Sequence, residues 1–366
     1  MGDKLKVGLA CNAGYVERGI KDHEVDLLKE FAEFEIREFN ESSDWYSAPE
    51  SSHEVIAEFK DFASSVDAMI VCHGSPRVTG DILDAAPSLR LVGELEGDRF
   101  AQRIDAEACA DRGVKAVDTT HASSLPVSEW ALAMMMMGLK KVGAHYRRLI
   151  TDQEWGTGYQ RAFEPDFQMM GDLTGRTVGL IGGGNIARRL IELLEPFRVD
   201  ILLHDPYLPR ELASAMNFTM TSLENVMSMP DVVVCLVPHT PATEGMLGAK
   251  ELGWIRSGGV FVNVSRGQVV QSDALIERLR KNDIYACLDV FDPEPVPTDS
   301  PIRELWNVFL TPHIASTTDG TGISFFGEMI DELRRFHLGH DTKHDLMPRT
   351  LANRRGESPT NLDAVR

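Results

Sequence analysis

Three polar residues follow apolar runs of strand length, and their types make a set. Arg266 lies in Asn263-Val264-Ser265-Arg266-Gly267, behind the run Val260–Val264. Glu294 lies in Asp292-Pro293-Glu294-Pro295, behind Tyr285–Val290, and His313 lies in Thr311-Pro312-His313-Ile314, behind Val308–Thr311. A guanidinium binds a carboxylate through two parallel hydrogen bonds. An imidazole can take or give a proton near neutral pH, and a carboxylate beside it favours the charged form. Taken singly, each has an ordinary structural reading: strand-end arginines make salt bridges, and a lone histidine usually serves packing. Together on one sheet with a dinucleotide site, they supply an anion clamp, an acid–base group and a carboxylate to orient it. That is the equipment for hydride transfer at a hydroxyl-bearing carbon beside a carboxylate.

The dinucleotide site is expected over Arg176–Asp205. Thr177–Ile181 is an apolar run suited to a buried parallel strand, and Gly182, Gly184 and Ala187 form G-x-G-x-x-A. Ile186, Leu190, Leu193, Leu194 and Phe197 then recur at helical spacing, and Val199–Leu203 is a second strand ending at Asp205. The glycines permit a tight turn and a close backbone approach to a pyrophosphate, which Gly182–Ile186, including Asn185, would hold at a helix N-terminus. Asp205 can accept both hydroxyls of an adenosine ribose, and Pro206-Tyr207 offers no cation for a 2′-phosphate, so NAD is expected rather than NADP.

The elements that position these groups follow from the rest of the chain. At 366 residues and 43% apolar content, two domains with real cores are expected. A formal net charge of −19 argues against nucleic acid or an anionic membrane as partner. No apolar run is long enough for a transmembrane helix, and the start Met1-Gly2-Asp3-Lys4-Leu5-Lys6 does not read as a signal peptide. Five scattered cysteines read as buried thiols in a reducing cytoplasm. Strands are expected at Lys6–Cys11, Glu35–Phe39, Ala68–Cys72, Leu89–Gly93 and Val114–Asp118, with helices over Val25–Phe34, Glu54–Ser64 and Asp105–Arg112 between them. Ser75 and Arg77 follow the third of these strands, at a carboxyl edge where ligands bind. A helix over 123–150, apolar on nearly every face, is expected to be buried all round, bridging the domains and meeting a second subunit. Residues 151–173 read as an arm. The second half adds strands at Asp231–Leu236, Val260–Val264, Tyr285–Val290 and Val308–Thr311, which with the fingerprint pair make a Rossmann sheet of six or seven strands. A tail helix over 322–338 is expected to return to the first domain. His337, His340 and His344 invite a zinc reading, but their neighbours look solvated and no metal is expected.

With these motifs in order, the chain resembles the D-isomer-specific 2-hydroxyacid dehydrogenase family, which includes D-3-phosphoglycerate dehydrogenases. The resemblance rests on Gly182–Ala187 with Asp205, Val237-Pro238-His239-Thr240-Pro241-Ala242-Thr243, the Ser265-Arg266-Gly267 motif, Leu288-Asp289-Val290-Phe291 with Glu294-Pro295, and Thr311-Pro312-His313-Ile314. It implies an α/β fold of two similar doubly wound parallel-sheet domains, a Rossmann cofactor domain and a flavodoxin-like substrate domain, with a cleft between them. It also implies a homodimer. Residues 1–122 and 315–366 would form the substrate domain and 123–314 the NAD domain. The resemblance assigns substrate carboxylate to Arg266, the acid–base pair to His313 and Glu294, and nicotinamide contact to Asp289. Pro238, Thr243, Val264, Ser265 and His313 join the cofactor contacts.

One stretch departs from the family. Where members carry a glycine-rich loop offering N–H groups to substrate, this chain has Gly93-Glu94-Leu95-Glu96-Gly97-Asp98-Arg99-Phe100-Ala101-Gln102-Arg103, longer and acidic. Gly97 and Arg99 are the substrate candidates there, with Arg77, Arg99 and Arg103 available to a second anionic group. Two other readings stay open: an NAD-binding redox-sensing interaction module of the same fold, and NAD-dependent oxidation of formate or phosphonate.

Overall fold

The computed structural model describes residues 4–42, 48–95, 103–152, 171–318, 324–348 and 352. Its contacts divide the chain into two units, Met1–Ser123 with Thr318–Ser358, and a second built on Ser124–Thr317. In the first unit β1 (Leu5–Cys11), β2 (Ala32–Glu38), β3 (Ala68–Val71), β4 (Leu91–Glu94) and β5 (Lys115–Asp118) form a parallel sheet in the order β2-β1-β3-β4-β5. That is the flavodoxin-like order. Helices α1 (Ala13–Gly19), α2 (Asp22–Lys29), α3 (His53–Ser64), α4 (Gly80–Ala85) and α5 (Ala106–Asp111) connect the strands. Alternation along the strands divides the core between two faces. Val7, Leu9 and Ile70 join one cluster, and Ala10, Met69 and Val71 the other. A sheet covered on both faces explains why its central strands read as nearly unbroken apolar runs.

The helix expected over 25–34 stops at Lys29, and β2 begins at Ala32. Phe34 and Ile36 alternate with charged residues, so the period of two decides over the helical one.

The second unit holds α6 (Ser124–Leu139), α7 (Val142–Arg147) and a sheet of β6 (Thr177–Ile181), β7 (Asp200–His204), β8 (Thr219–Met220), β9 (Val232–Cys235), β10 (Val260–Asn263), β11 (Tyr285–Leu288) and β12 (Val308–Leu310). Its order is β12-β11-β10-β9-β6-β7-β8, all parallel. The order reverses between β6 and β9, the point at which a doubly wound sheet opens a crevice for ligand. β8 escapes sequence reading because two residues carry no period. Helices α8 (Asn185–Leu194), α9 (Glu211–Ala215), α10 (Leu223–Ser228), α11 (Ala249–Trp254) and α12 (Ser272–Leu279) complete this unit.

The long helix expected over 123–150 is broken. Lys141 takes a left-handed conformation, φ 53°, between α6 and α7. α7 then turns onto β12, and the Ala144 N–H donates to the Tyr285 hydroxyl at 3.3 Å. Nor is α6 buried all round: Met134 and Met135 are fully enclosed, but Met136 is 39% exposed. The arm expected over 151–173 falls largely outside the described residues. The tail helix forms as α13 (Phe325–His337), whose Phe326, Met329, Ile330 and Leu333 pack on the first sheet. No helix among the described residues is long and apolar enough to cross a membrane.

Candidate active site

The glycine turn forms at the carboxyl end of β6. Gly182 adopts φ +97°, a conformation open to glycine, and its N–H donates to His204 O at 2.8 Å. Parallel register places Ile181 opposite His204, which brings Asp205 level with the turn. Asp205 closes it: one carboxylate oxygen accepts the Gly183 N–H at 2.8 Å and the other accepts the Tyr207 N–H at 2.8 Å. Helix α8 starts at Asn185 with Gly184 as a cap that has no side chain, so first-turn N–H groups are available to an anion. Among the described residues, nothing outside its own stretch of chain lies within 4 Å of where a Gly184 Cβ would stand, so the backbone is open to close approach. Here an anion seat, a bare backbone and a ribose-sized acceptor occupy one strand end. These residues fit a dinucleotide.

The neighbouring strand ends carry the rest. After β9, Thr243 donates its hydroxyl to Pro238 O at 2.6 Å and accepts the Thr240 N–H at 2.8 Å, which locks residues 238–243 into a turn. After β10, the Ser265 hydroxyl donates to Val237 O, joining two strand ends, and Val264 is buried beneath them. The close approach of Gly267 to the Phe291 carbonyl explains the glycine after Arg266: a Cβ there would stand 1.7 Å from that oxygen. Arg266 itself is extended, φ −146°, with its guanidinium donating to Ser265 O at 2.7 Å.

His313 and Glu294 are brought together from the ends of β12 and β11. Their Nδ1 and Oε2 atoms stand 2.9 Å apart, and the other Glu294 oxygen accepts the Phe291 N–H at 2.7 Å. Burial alone would raise the Glu294 carboxyl. The hydrogen bonds from His313 and Phe291 and the charges of His313 and Arg266 outweigh it, so the group sits below its ordinary value. An ionised carboxylate only accepts, so His313 Nδ1 carries the hydrogen and Nε2 is left for a reacting proton. The pair lines a cavity of about 490 Å³ with Phe291, Pro295, Val296 and Arg303.

Asp289 shows a duty the sequence reading missed. It is fully buried, and its oxygens accept the Thr311 hydroxyl at 2.5 Å and the N–H groups of Ile314 at 3.0 Å and Ala315 at 2.9 Å. Its backbone carbonyl also takes the His313 N–H at 2.8 Å. His313 is held at φ 53°, a left-handed conformation that costs a residue with a Cβ of order 1–3 kcal/mol unless its surroundings impose it. Asp289 and Thr311 are those surroundings. Only the pairing of β11 with β12 reveals them, because 22 residues separate the two in sequence.

The candidates in the first unit fare differently. Ser75 is buried just past β3, and Arg77 lies 3.8 Å from Asp105. Arg103 is buried in an ion pair with Glu94 at 3.1 Å, so it is an interior charge, not a surface clamp. His73, at the same sheet edge, is held below its ordinary value by burial and by the charges of Arg103 and Arg18. Gly97 and Arg99 lie outside the described residues.

Residues 132–315 match the family model described as D-isomer specific 2-hydroxyacid dehydrogenase, NAD binding domain. A glyoxylate reductase of Thermococcus gammatolerans is 30% identical over 84% of this chain and 87% of its own length. A D-3-phosphoglycerate dehydrogenase of Methanocaldococcus jannaschii is 29% identical over 74% of this chain, which spans 48% of that protein. A crystal structure of a phosphoglycerate oxidoreductase from Rhizobium etli superposes with TM-score 0.72 over 93% of this chain and 97% of its own, at 23% identity. A strand order with its reversal beside the glycine turn, an imidazole–carboxylate pair on the same sheet and a matching family model over half the chain agree: this protein belongs to the D-isomer specific 2-hydroxyacid dehydrogenase family and carries its NAD-binding domain.

Proposed function

We propose that the protein transfers hydride between NAD and C2 of a small D-2-hydroxy acid or its 2-keto form. The observation that carries this reading is the His313–Glu294 pair at 2.9 Å, on the same sheet as the glycine turn and Asp205. NAD, when bound, supplies or accepts the hydride; its pyrophosphate is assigned to Gly182–Ile186 and its ribose hydroxyls to Asp205. Arg266 holds the substrate carboxylate. In the reductive direction the imidazolium of His313 gives its Nε2 proton to the carbonyl oxygen as C2 takes hydride, and Glu294 keeps the ring oriented and its charge compensated. In oxidation the neutral ring takes the hydroxyl proton back. The names of relatives favour glyoxylate-sized keto acids as first candidates. The buried free cysteines accord with a reducing cytoplasm.

A panel of 2-keto acids with NADH, followed by nicotinamide absorbance, tests the proposal. One or more should be reduced. His313→Ala should leave NAD affinity near wild type, because the glycine turn and Asp205 are untouched, and lower turnover by roughly two to four orders. No turnover with any acid, or full turnover in the variant, overturns it. We also propose a homodimer, because Met136, Tyr146, Leu149 and Ile150 leave an exposed apolar stretch over α6–α7 and the turn that follows. Sedimentation that shows a monomer at assay concentration would refute this.

A further inference from the structure

Away from the proposed active site, the first unit gathers His121, Glu328 and His344, with one potential ligand atom of each within 4.8 Å of the others. His121 lies in the short turn after β5, and Glu328 lies on the first turn of α13. His344 belongs to a segment bridged antiparallel to β5, where the Asp118 N–H donates to His344 O at 3.0 Å. Sequence spacing had grouped His344 with His337 and His340. In the structure His337 packs on Phe31 and His340 is exposed, so the relevant neighbours come from elsewhere in the chain.

The outward nitrogens are already oriented. His344 Nδ1 faces a Glu332 oxygen at 2.7 Å, and fully buried Glu332 also accepts the Lys343 N–H at 2.9 Å. A carboxylate cannot donate, so His344 Nδ1 carries the hydrogen and Nε2 carries the lone pair. His121 Nδ1 faces the Asp118 carbonyl at 3.4 Å, and its Nε2 lies 3.6 Å from Glu328 Oε2. Carboxylate and carbonyl partners behind histidines are the usual supporting groups of a metal ligand set. With both rings neutral, three potential ligand atoms stand within 4.8 Å of one another, and the nearby Lys343 ammonium pairs with Asp331 at 2.6 Å. Such a group requires a shared proton or a metal cation.

We propose that His121, Glu328 and His344 bind one divalent transition metal of the zinc class, leaving a fourth position for water. Tetrahedral zinc with bonds of about 2.0–2.1 Å needs ligands roughly 3.3 Å apart. The two imidazoles stack at 3.4 Å with planes 16° apart, so they must fan open by side-chain rotation to close on the ion. All three side chains are 17–27% exposed, which gives the ion a path in. The ion would tie α13 and the segment after it to the end of β5.

The test uses the full chain, free of any affinity tag and stripped by chelator. Zinc titration by calorimetry should show one ion per chain and a rise in Tm, and cobalt should give the visible bands of a low-coordinate site. Glu328→Gln and His344→Ala should each weaken zinc by at least about tenfold, and Glu332→Gln by about 10- to 100-fold through the orientation of His344. His340→Ala should bind as the parent does. Circular dichroism identifies any variant that fails to fold, and cobalt bands in the remaining variants then decide. Absence of zinc heat and cobalt bands in the parent chain overturns the proposal, leaving imidazoles that share a proton with Glu328. So does undiminished binding in folded Glu328→Gln and His344→Ala.

Discussion

Glu294→Gln is the most informative change at the imidazole–carboxylate pair. The wild-type carboxylate has two tasks, one oxygen for His313 Nδ1 at 2.9 Å and the other for the Phe291 N–H at 2.7 Å. Glutamine has one acceptor oxygen and one donor NH₂, so it can serve only one of the two. Either the ring or the loop loses its partner. A hydrogen bond with a charged partner is worth about 1.5–3 kcal/mol. Both side chains are about a third exposed, so solvent reduces that to about 1–2 kcal/mol. At about 1.4 kcal/mol per tenfold, the reductive kcat should fall about 5- to 30-fold. NAD affinity should hold, because the fingerprint is untouched. The pH dependence gives a second readout. The carboxyl is held below its ordinary value, so the pair's contribution is complete above the ordinary carboxyl range and is lost as pH falls through the depressed one. Glutamine does not titrate in that range, so the loss of turnover on the acid side that follows protonation of Glu294 should disappear in the variant. Stopped-flow reduction of the best keto acid across pH measures both quantities. Unchanged turnover with an unchanged acid limb would refute this account of Glu294.

Other changes test the surrounding structure. Asp205→Ala should weaken NAD and narrow its preference over NADP, because the acceptor of the Gly183 N–H and the repulsion of a 2′-phosphate go together; paired titrations of the two cofactors decide. Asp289→Ala leaves two backbone N–H groups and one hydroxyl without their buried acceptor, and should cost about 3 kcal/mol or more in urea unfolding. Leu333→Ala, in the fully buried stripe of α13, should destabilise by about 2–5 kcal/mol with no change in NAD affinity. The Cys11, Cys109 and Cys235 thiols, pushed up to about 12 chiefly by burial, should resist thiol reagents at neutral pH until the protein is unfolded.

The parts legible in sequence are those written in consecutive residues. β6 has the bounds its apolar run gives, and the turn, helix and Asp205 follow at the expected places because the fingerprint is a local device. The pairing of Glu294 with His313 was legible only as a conjunction of strand ends, and it holds because β11 and β12 lie side by side. Reading failed where tertiary structure decides. Lys141 carries no sign that it would break a helix, and the period of α6 does not say that Met136 faces outward. Arg103 reads as available to a second anionic group until β4 supplies Glu94 beside it. His121 and His344 are far apart in sequence, and no spacing rule joins them.

Asp289 shows why the acid–base pair sits where it does. A histidine following a strand would have a choice of backbone conformations, and most would turn the ring away from Glu294. The left-handed one is selected because Asp289 offers acceptors to four donors of residues 311–315: its carbonyl to the His313 N–H, its carboxylate to the Thr311 hydroxyl and the Ile314 and Ala315 N–H groups. A buried carboxylate that is fully hydrogen-bonded is stable, but with one partner missing it is costly, so the loop has little freedom to relax. The strain at His313 is therefore maintained by the sheet itself, through adjacent strands whose register places Leu288 opposite Leu310. Asp289→Asn should separate positioning from chemistry. Its amide can accept from only one oxygen, so kcat should fall with KM for substrate little changed. Thr311→Ser alone, which keeps the hydroxyl that Asp289 accepts, should retain kcat. If instead Asp289→Asn raised KM alone, the carboxylate would be acting on ligand binding and the positioning argument would fail.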